Sequence, residues 1–313
     1  MAVDMETRIN KKIGQRGDLL FQFALLAWPI LQFIIFYIIV NLNSFKLAFE
    51  EWLPNGEQGG ITFTNFEYVF ASMLPDIVRS VGTSLLFYAI TTAISVPLAL
   101  FFAFYIFKKA VFSKVFRLFL FLPSIVSAMV MSVLFTEFLS YSSVEILMDW
   151  LSIDASGKPM FDATSNSSYV AVIFFYIWTN FGTTTLIYSN KMGELSPETI
   201  EAAQLDGANY LQEFWFIVLP FAFPTVSVFL VTGFATLFTN QYNLFSFYGG
   251  SIGFDPGTMG YYMFALVQDY ASSGNYDHIT YNRAAAVGIL ATCVIVPTTL
   301  TLRWALEKYG PQD

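Results

Sequence analysis

Hydroxyl and amide side chains stand at helical spacing inside two apolar runs of this chain. Tyr176, Thr179, Asn180 and Thr183 fall on neighbouring faces of one run. Thr232, Thr236 and Asn240 recur every four residues along another and predict one polar stripe, with Gly233 beside it. Their chemistry is hydrogen bonding to a polar solute, and Trp178 adds a flat face for stacking. Such hydroxyls in an apolar helix also serve their own backbone or a neighbouring helix, so they are candidates for a solute path only. Groups for bond-breaking are not assembled: there is no nucleophile with a base and no acid–base pair. The single histidine, His278, reads as a loop residue and cannot build a multi-histidine site, so no metal site is expected. Cys293, the one cysteine, lies in an apolar run and cannot form an internal disulfide.

A second feature is a polar segment between apolar runs, Glu198-Thr199-Ile200-Glu201-Ala202-Ala203-Gln204-Leu205-Asp206-Gly207-Ala208-Asn209, continuing to Phe216-Ile217-Val218-Leu219-Pro220-Phe221. Ser196 is placed to cap free N–H groups, Pro197 suits the first helical position, and Glu198 complements the helix dipole. Leu195 and Ile200 stand at the two positions of a hydrophobic staple. The spacing predicts a helix to about Asp206, then a left-handed turn at Gly207 that disfavours any side chain. A second helix from about Asn209 carries Leu211, Phe214, Trp215 and Val218 into the following run. This elbow suits force transfer. Ala202 and Ala203 permit close approach to a groove, Glu201 and Asp206 offer charge to a basic rim, and Leu205 offers an apolar anchor.

The elements that hold these groups must be membrane helices. Of 313 residues, 56% are hydrophobic and 12% charged, with mean hydropathy +0.57; soluble domains carry about 25% charged residues. A spanning helix needs roughly 20 apolar residues, and six stretches qualify: about 19–41, 80–107, 117–139, 168–190, 217–239 and 284–306. Pro29, Pro97, Pro123, Pro224 and Pro297 interrupt them, which membrane helices tolerate. The first run is too long for a signal-peptide core and reads as a retained anchor. Outer loops are expected at 42–79, 140–167 and 240–283, with a short interfacial helix near Tyr261–Tyr270. On one side stand eleven cations: Arg8, Lys11, Lys12, Arg16, Lys108, Lys109, Lys114, Arg117, Lys191, Arg303 and Lys308. The other side has four: Lys46, Arg79, Lys158 and Arg283. The positive-inside rule then puts both termini, the 108–117 turn and the 191–216 loop in the cytoplasm.

Glu201-Ala202-Ala203, Gly207, Ile217 and Pro220 together resemble the signature loop of the permease subunits of binding-protein-dependent ABC importers. The resemblance covers roughly residues 20–310. Phe121-Leu122-Pro123, Asn240-Gln241-Tyr242 with Tyr248-Gly249-Gly250, and Asn275-Tyr276 with Arg283-Ala284-Ala285-Ala286-Val287-Gly288 look like its carbohydrate branch. Ser251-Ile252-Gly253 departs from that branch, whose members often continue with a third glycine and a proline. The resemblance implies an all-α, polytopic fold with six transmembrane helices of the type I importer kind. Residues 1–18 would be a cytoplasmic segment, 19–306 the permease domain with its ATPase-docking loop at 191–216, and 307–313 a cytoplasmic tail. It implies docking by Glu201, Ala202, Ala203, Leu205, Asp206 and Gly207 in a bacterial cytoplasmic membrane. Expected partners are a second permease subunit, two ATPase subunits, an extracytoplasmic solute-binding protein and membrane lipid, with no nucleic acid. The chain contains no Gly-x-x-x-x-Gly-Lys-Ser/Thr string. It is therefore expected to hold no cofactor and to be no enzyme, with ATP and Mg bound by the partner ATPases. An importer for a non-sugar solute remains open. An ion-coupled secondary transporter is a more remote alternative, since no charged residue sits near a span's centre and Glu137 lies near an outer end.

Overall fold

Backbone groups in hydrocarbon must be satisfied within their own segment, so long apolar runs become long helices. The computed structural model describes residues 21–52, 58–140, 166–249, 257–272 and 278–311. Helix α1 spans Phe21–Phe49 and α2 spans Thr64–Phe107. Next come α3 (Ser113–Ile125), α4 (Ala128–Ser140), α5 (Asn166–Met192) and α6 (Pro197–Leu205). Helix α7 is Tyr210–Ala235, followed by α8 (Leu244–Tyr248), α9 (Met259–Ser272) and α10 (His278–Tyr309). Among the described residues five helices are long and apolar enough to cross a membrane, or six if α3 and α4 count as one bent span. The helical, multi-pass class expected from hydropathy is the one observed. Pro97, Pro123, Pro224 and Pro297 all lie inside helices.

Several boundaries differ from expectation. The segment 42–79 is mostly not a loop: α1 runs to Phe49, and α2 begins at Thr64. Between them β1 (Glu50–Trp52) pairs antiparallel with β2 (Gln58–Ile61), setting Glu50 opposite Ile61 and Trp52 opposite Gln58. Buried Asn65 closes this junction, donating to the carbonyls of Ala48 at 3.0 Å and Glu50 at 2.9 Å. Asn282 of α10 donates to the same Glu50 carbonyl at 2.7 Å. The third run is not straight, because α3 and α4 meet at 100°. Val126 is extended there, and Ser124 Oγ donates to the Phe121 carbonyl, competing with the backbone ladder.

Part of the segment 240–283 folds back onto the bundle. Helix α9 is present, but its Met259, Tyr261 and Ala265 are buried rather than interfacial. Met259 N donates to Ser84 Oγ of α2 at 2.8 Å. His278, read as a loop residue, opens α10. The segment 1–18, Lys158, Asp154–Pro159 and most of the second outer loop lie outside the described residues, as do Gly250–Gly253 and Asn275–Tyr276.

Among the described residues the core forms three clusters. One joins Ala99, Leu100 and Ala103 of α2 to Tyr188 and Met192 of α5 and Phe214, Val218, Ala222 and Val226 of α7. The second gathers Phe87, Val172, Ile173, Tyr242, Leu244 and Tyr261. The third holds Ala48, Val69, Met73, Met259, Ala286 and Val287. The first cluster positions the elbow, and the second positions the polar path.

Candidate functional site: the elbow and the polar path

Each end of α6 is closed by local chemistry. Ser196 Oγ accepts from Thr199 N at 3.3 Å, Pro197 occupies the first turn and Glu198 sits beside the positive helix end. At the other end Ala208 N donates to the Ala203 carbonyl at 2.9 Å and Gly207 N to the Gln204 carbonyl at 3.1 Å. That pair of bonds is a Schellman closure, which needs a left-handed residue at Gly207, and its φ is +84°. Asn209 then caps α7 in a reciprocal box. Its Oδ1 accepts from Gln212 N, and Gln212 Oε1 accepts from Asn209 N, both at 2.9 Å. The Asn209-x-x-Gln212 spacing carried this signal, and the sequence reading passed over it.

The elbow has an inward and an outward face. Leu195 and Ile200 pack against the first core cluster. Glu201, Ala202, Asp206 and Gly207 are exposed, Ala203 is half-buried, and Leu205 is 88% exposed. The docking candidates therefore form one accessible surface held on a packed base. Gly207→Ala is expected to cost about 1–2 kcal/mol because an L side chain resists this φ. Exchange of the Gly207 and Ala208 amides should then rise roughly 5- to 30-fold. Gly207→Asn, which tolerates the left-handed region, should change it much less.

At the base of the elbow lies a pair absent from the sequence reading. Glu213, 1% exposed at the start of α7, forms an ion pair with Lys108 just beyond α2. The Lys108 ammonium also lies 5.3 Å from the Tyr210 ring centroid and 5.7 Å from that of Phe104. Phe214 stacks on Phe101 at 5.2 Å. The pair ties the elbow to α2 as well as to α5. Nothing local in the sequence joins residues so far apart.

The polar path is assembled differently from its spacing. Helix α7 ends at Ala235, with Thr236 as its cap, so Asn240 does not continue a straight helical stripe. Instead Asn240 Nδ2 donates to the Tyr176 hydroxyl at 3.0 Å, and its Oδ1 accepts from Tyr242 N at 2.9 Å. Tyr176 and Asn240 thus meet. Thr179 Oγ1 donates to the Phe175 carbonyl at 2.9 Å, Asn180 Nδ2 to that of Tyr176 at 2.9 Å, and Thr236 Oγ1 to that of Thr232 at 3.1 Å. Those donors serve the backbone and leave mainly acceptor capacity for a solute. Thr183 is exposed, and Thr232 lines a separate groove between α7 and α10 with Ser227 and Arg303. Burial, with the nearby Tyr176 and Tyr88 phenols, holds the Tyr242 phenol above its ordinary range, so Tyr242 stays a neutral hydrogen-bonding group. Trp178 packs among Phe135, Phe174 and Phe175. Among the described residues no group of three or more His, Cys, Asp or Glu side chains is placed to hold a metal.

Known proteins resemble this chain in sequence and fold. The chain is 24% identical over 272 residues to the multiple sugar-binding transport system permease protein MsmF of Streptococcus mutans, covering 85% of this chain and 88% of that one. It is 23% identical over 276 residues to the arabinooligosaccharides transport system permease protein AraP of Bacillus subtilis, covering 87% and 83%. Its fold matches, with TM-score 0.77 and 23% identity, a chain of a bacterial ABC transporter involved in the import of the acidic polysaccharide alginate, over 97% of this chain and 99% of that one. Residues 95–309 match the family described as binding-protein-dependent transport system inner membrane component. That match runs from within α2 to the end of α10 and takes in every element that builds the elbow and its base, so the chain belongs to this family of inner membrane transport components.

Proposed function

We propose that this chain is one permease subunit of an ATP-driven importer for a sugar or oligosaccharide. An extracytoplasmic binding protein would deliver the solute, a second permease would complete the pathway, and two ATPase subunits would bind ATP and Mg. The observation that carries this reading is the elbow: an exposed, capped helix presenting Leu205 and Glu201 on a base fixed to α2, α5 and α7. The names of the sugar-transport relatives support the solute class. The eleven-to-four cation asymmetry supports a cytoplasmic elbow and cytoplasmic termini. ATPase closure would push the elbow and, through Glu213 and Phe214, tilt α7 against α2. Turning a 1:99 population into 99:1 takes roughly 5.5 kcal/mol of differential binding, and a rigid elbow is a place where it can enter.

The test is purification of the chain in mild detergent from its native membrane, with mass spectrometry of what accompanies it. An ATPase subunit and a second permease should be recovered, and sugar uptake should require ATP. Recovery of a homogeneous particle of this chain alone would count against the reading. Glu201→Lys reverses one exposed docking charge and should weaken ATPase recovery and uptake about tenfold, the equivalent of 1.4 kcal/mol. Membrane insertion should be unchanged. Normal uptake by this variant would remove the docking role from Glu201.

A further inference from the structure

An open groove of about 1160 Å3 borders the elbow, between the turn that joins α2 to α3, the adjacent end of α5, and α6. Four cations line it: Lys108, Lys109, Lys114 and Arg117; so do the carboxylates of Glu194 and Glu201. Lys108 is taken by Glu213, and Glu194 by Lys191 at 2.7 Å. Lys109, Lys114 and Arg117 are exposed and make no ion pair among the described residues. The groove therefore keeps an excess of positive charge facing only Glu201.

Its rim is apolar. Val111 and Phe112, 73% and 76% exposed, occupy the same turn as the lysines. Beyond them α3 exposes Leu118, Phe119 and Leu122 in continuity with this apolar rim. The turn has a defined shape: Lys109 and Phe112 both have positive φ, 51° and 61°, and the Tyr105 hydroxyl donates to the Val111 carbonyl. Non-glycine residues are uncommon at such angles and are held there by their surroundings. Unpaired cations directly above an apolar helix face, at the end of a membrane span, match a phosphodiester headgroup with its acyl chains below. A soluble partner such as an ATPase subunit would explain the cations but not the apolar face of α3 that continues from them along the span.

We propose that this groove binds the headgroup of an anionic phospholipid, whose phosphate meets Lys109, Lys114 and Arg117 and whose chains lie along α3. Pro197, Ile200, Glu201 and Gln204 of α6 form the opposite wall, so a bound lipid would brace the elbow from the membrane side. The site needs only that the chain spans a membrane, and it stands whichever solute is carried.

The probe is phosphatidylglycerol, with phosphatidylcholine as control, added to the purified full-length chain and followed by native mass spectrometry. Each surface cation contributes about 1 kcal/mol towards an anionic lipid, so a Lys109→Asn, Lys114→Gln, Arg117→Gln variant should bind phosphatidylglycerol about a hundredfold more weakly. Phosphatidylcholine binding should not change. Phe112→Asn tolerates the left-handed angle, so it preserves the turn while removing the ring; it should also reduce phosphatidylglycerol binding. Undiminished phosphatidylglycerol binding by both variants overturns the proposal. Full displacement by excess inorganic phosphate would make this a free-anion site and overturn the lipid assignment. Loss of a co-purifying ATPase with lipid binding intact would make it a protein-docking surface and overturn it equally.

Discussion

Lys108→Met is expected to destabilise the chain by about 3–5 kcal/mol, because it leaves a charge in the protein without its partner. Glu213 is 1% exposed, and its side chain makes no other ion pair among the described residues. Glu213→Leu should cost less. The ammonium it abandons is 16% exposed and keeps the Phe104, Phe107 and Tyr210 rings as neighbours, each a site of cation–π attraction. The double variant should recover much of the loss, since replacing a whole buried pair by apolar groups is often neutral. Thermal unfolding of the four proteins in one detergent measures this cycle directly. Equal costs for the two single variants would show that the rings do not support Lys108. A double variant as unstable as Lys108→Met would sink the ion-pair account itself. Uptake should fall with the first variant, because the pair fastens the start of α7 to the end of α2, and return with the double, where apolar contact holds the same two ends.

The elbow was legible because its determinants are local. Ser196, Pro197 and Glu198 specify a helix start within one turn, and Gly207 specifies its stop; the structure realises both with the expected bonds and φ. The apolar runs were legible for a similar reason, since lipid imposes a length on every segment. Long-range pairings were not. Helix α2 begins at Thr64, well before the apolar stretch, because Asn65 is fastened to Ala48 and Glu50 across the chain. The tyrosines of α9 suggested a headgroup location, yet Tyr261 packs in the core with Phe87 and Tyr242.

The bend at Val126–Ser127 shows the same division. Pro123 marks a weak place in the third run, but proline disturbs the turn before it, and the extended residue lies after it. What fixes the second arm is distant: Ser132 Oγ of α4 donates to the Ser246 carbonyl of α8 at 3.1 Å. The polar path was half-legible. Its residues were found by type, whereas the Tyr176–Asn240 bond depends on how α7 ends and the chain turns. A four-residue repeat describes a helix only as far as the helix continues.

Gly182→Ala is expected to be disruptive, although alanine is the better helix former by about 1 kcal/mol. A Cβ at this position of α5 would lie 1.9 Å from the Leu120 carbonyl oxygen and 2.6 Å from its carbon, both backbone atoms of α3. Backbone cannot rotate away as a side-chain end does. The two helices would have to separate by more than about 1 Å, and close approach through a small residue is how such helices associate in lipid. Overpacking of this kind costs about 1–3 kcal/mol and occasionally more, which outweighs the gain in propensity; Gly182→Val should prevent the native α3–α5 contact altogether. Gly82 of α2 and Gly288 of α10 provide the contrast, because a Cβ there meets nothing within 4 Å. Alanine at either should leave the isolated chain unchanged or stabilise it by up to about 1 kcal/mol. Unfolding temperature and yield, compared across the three alanine variants, separate packing from propensity. If Gly182→Ala proved as stable as Gly82→Ala, α3 would have to be free to shift, and the contact that positions the α3 end of the basic groove would not be fixed.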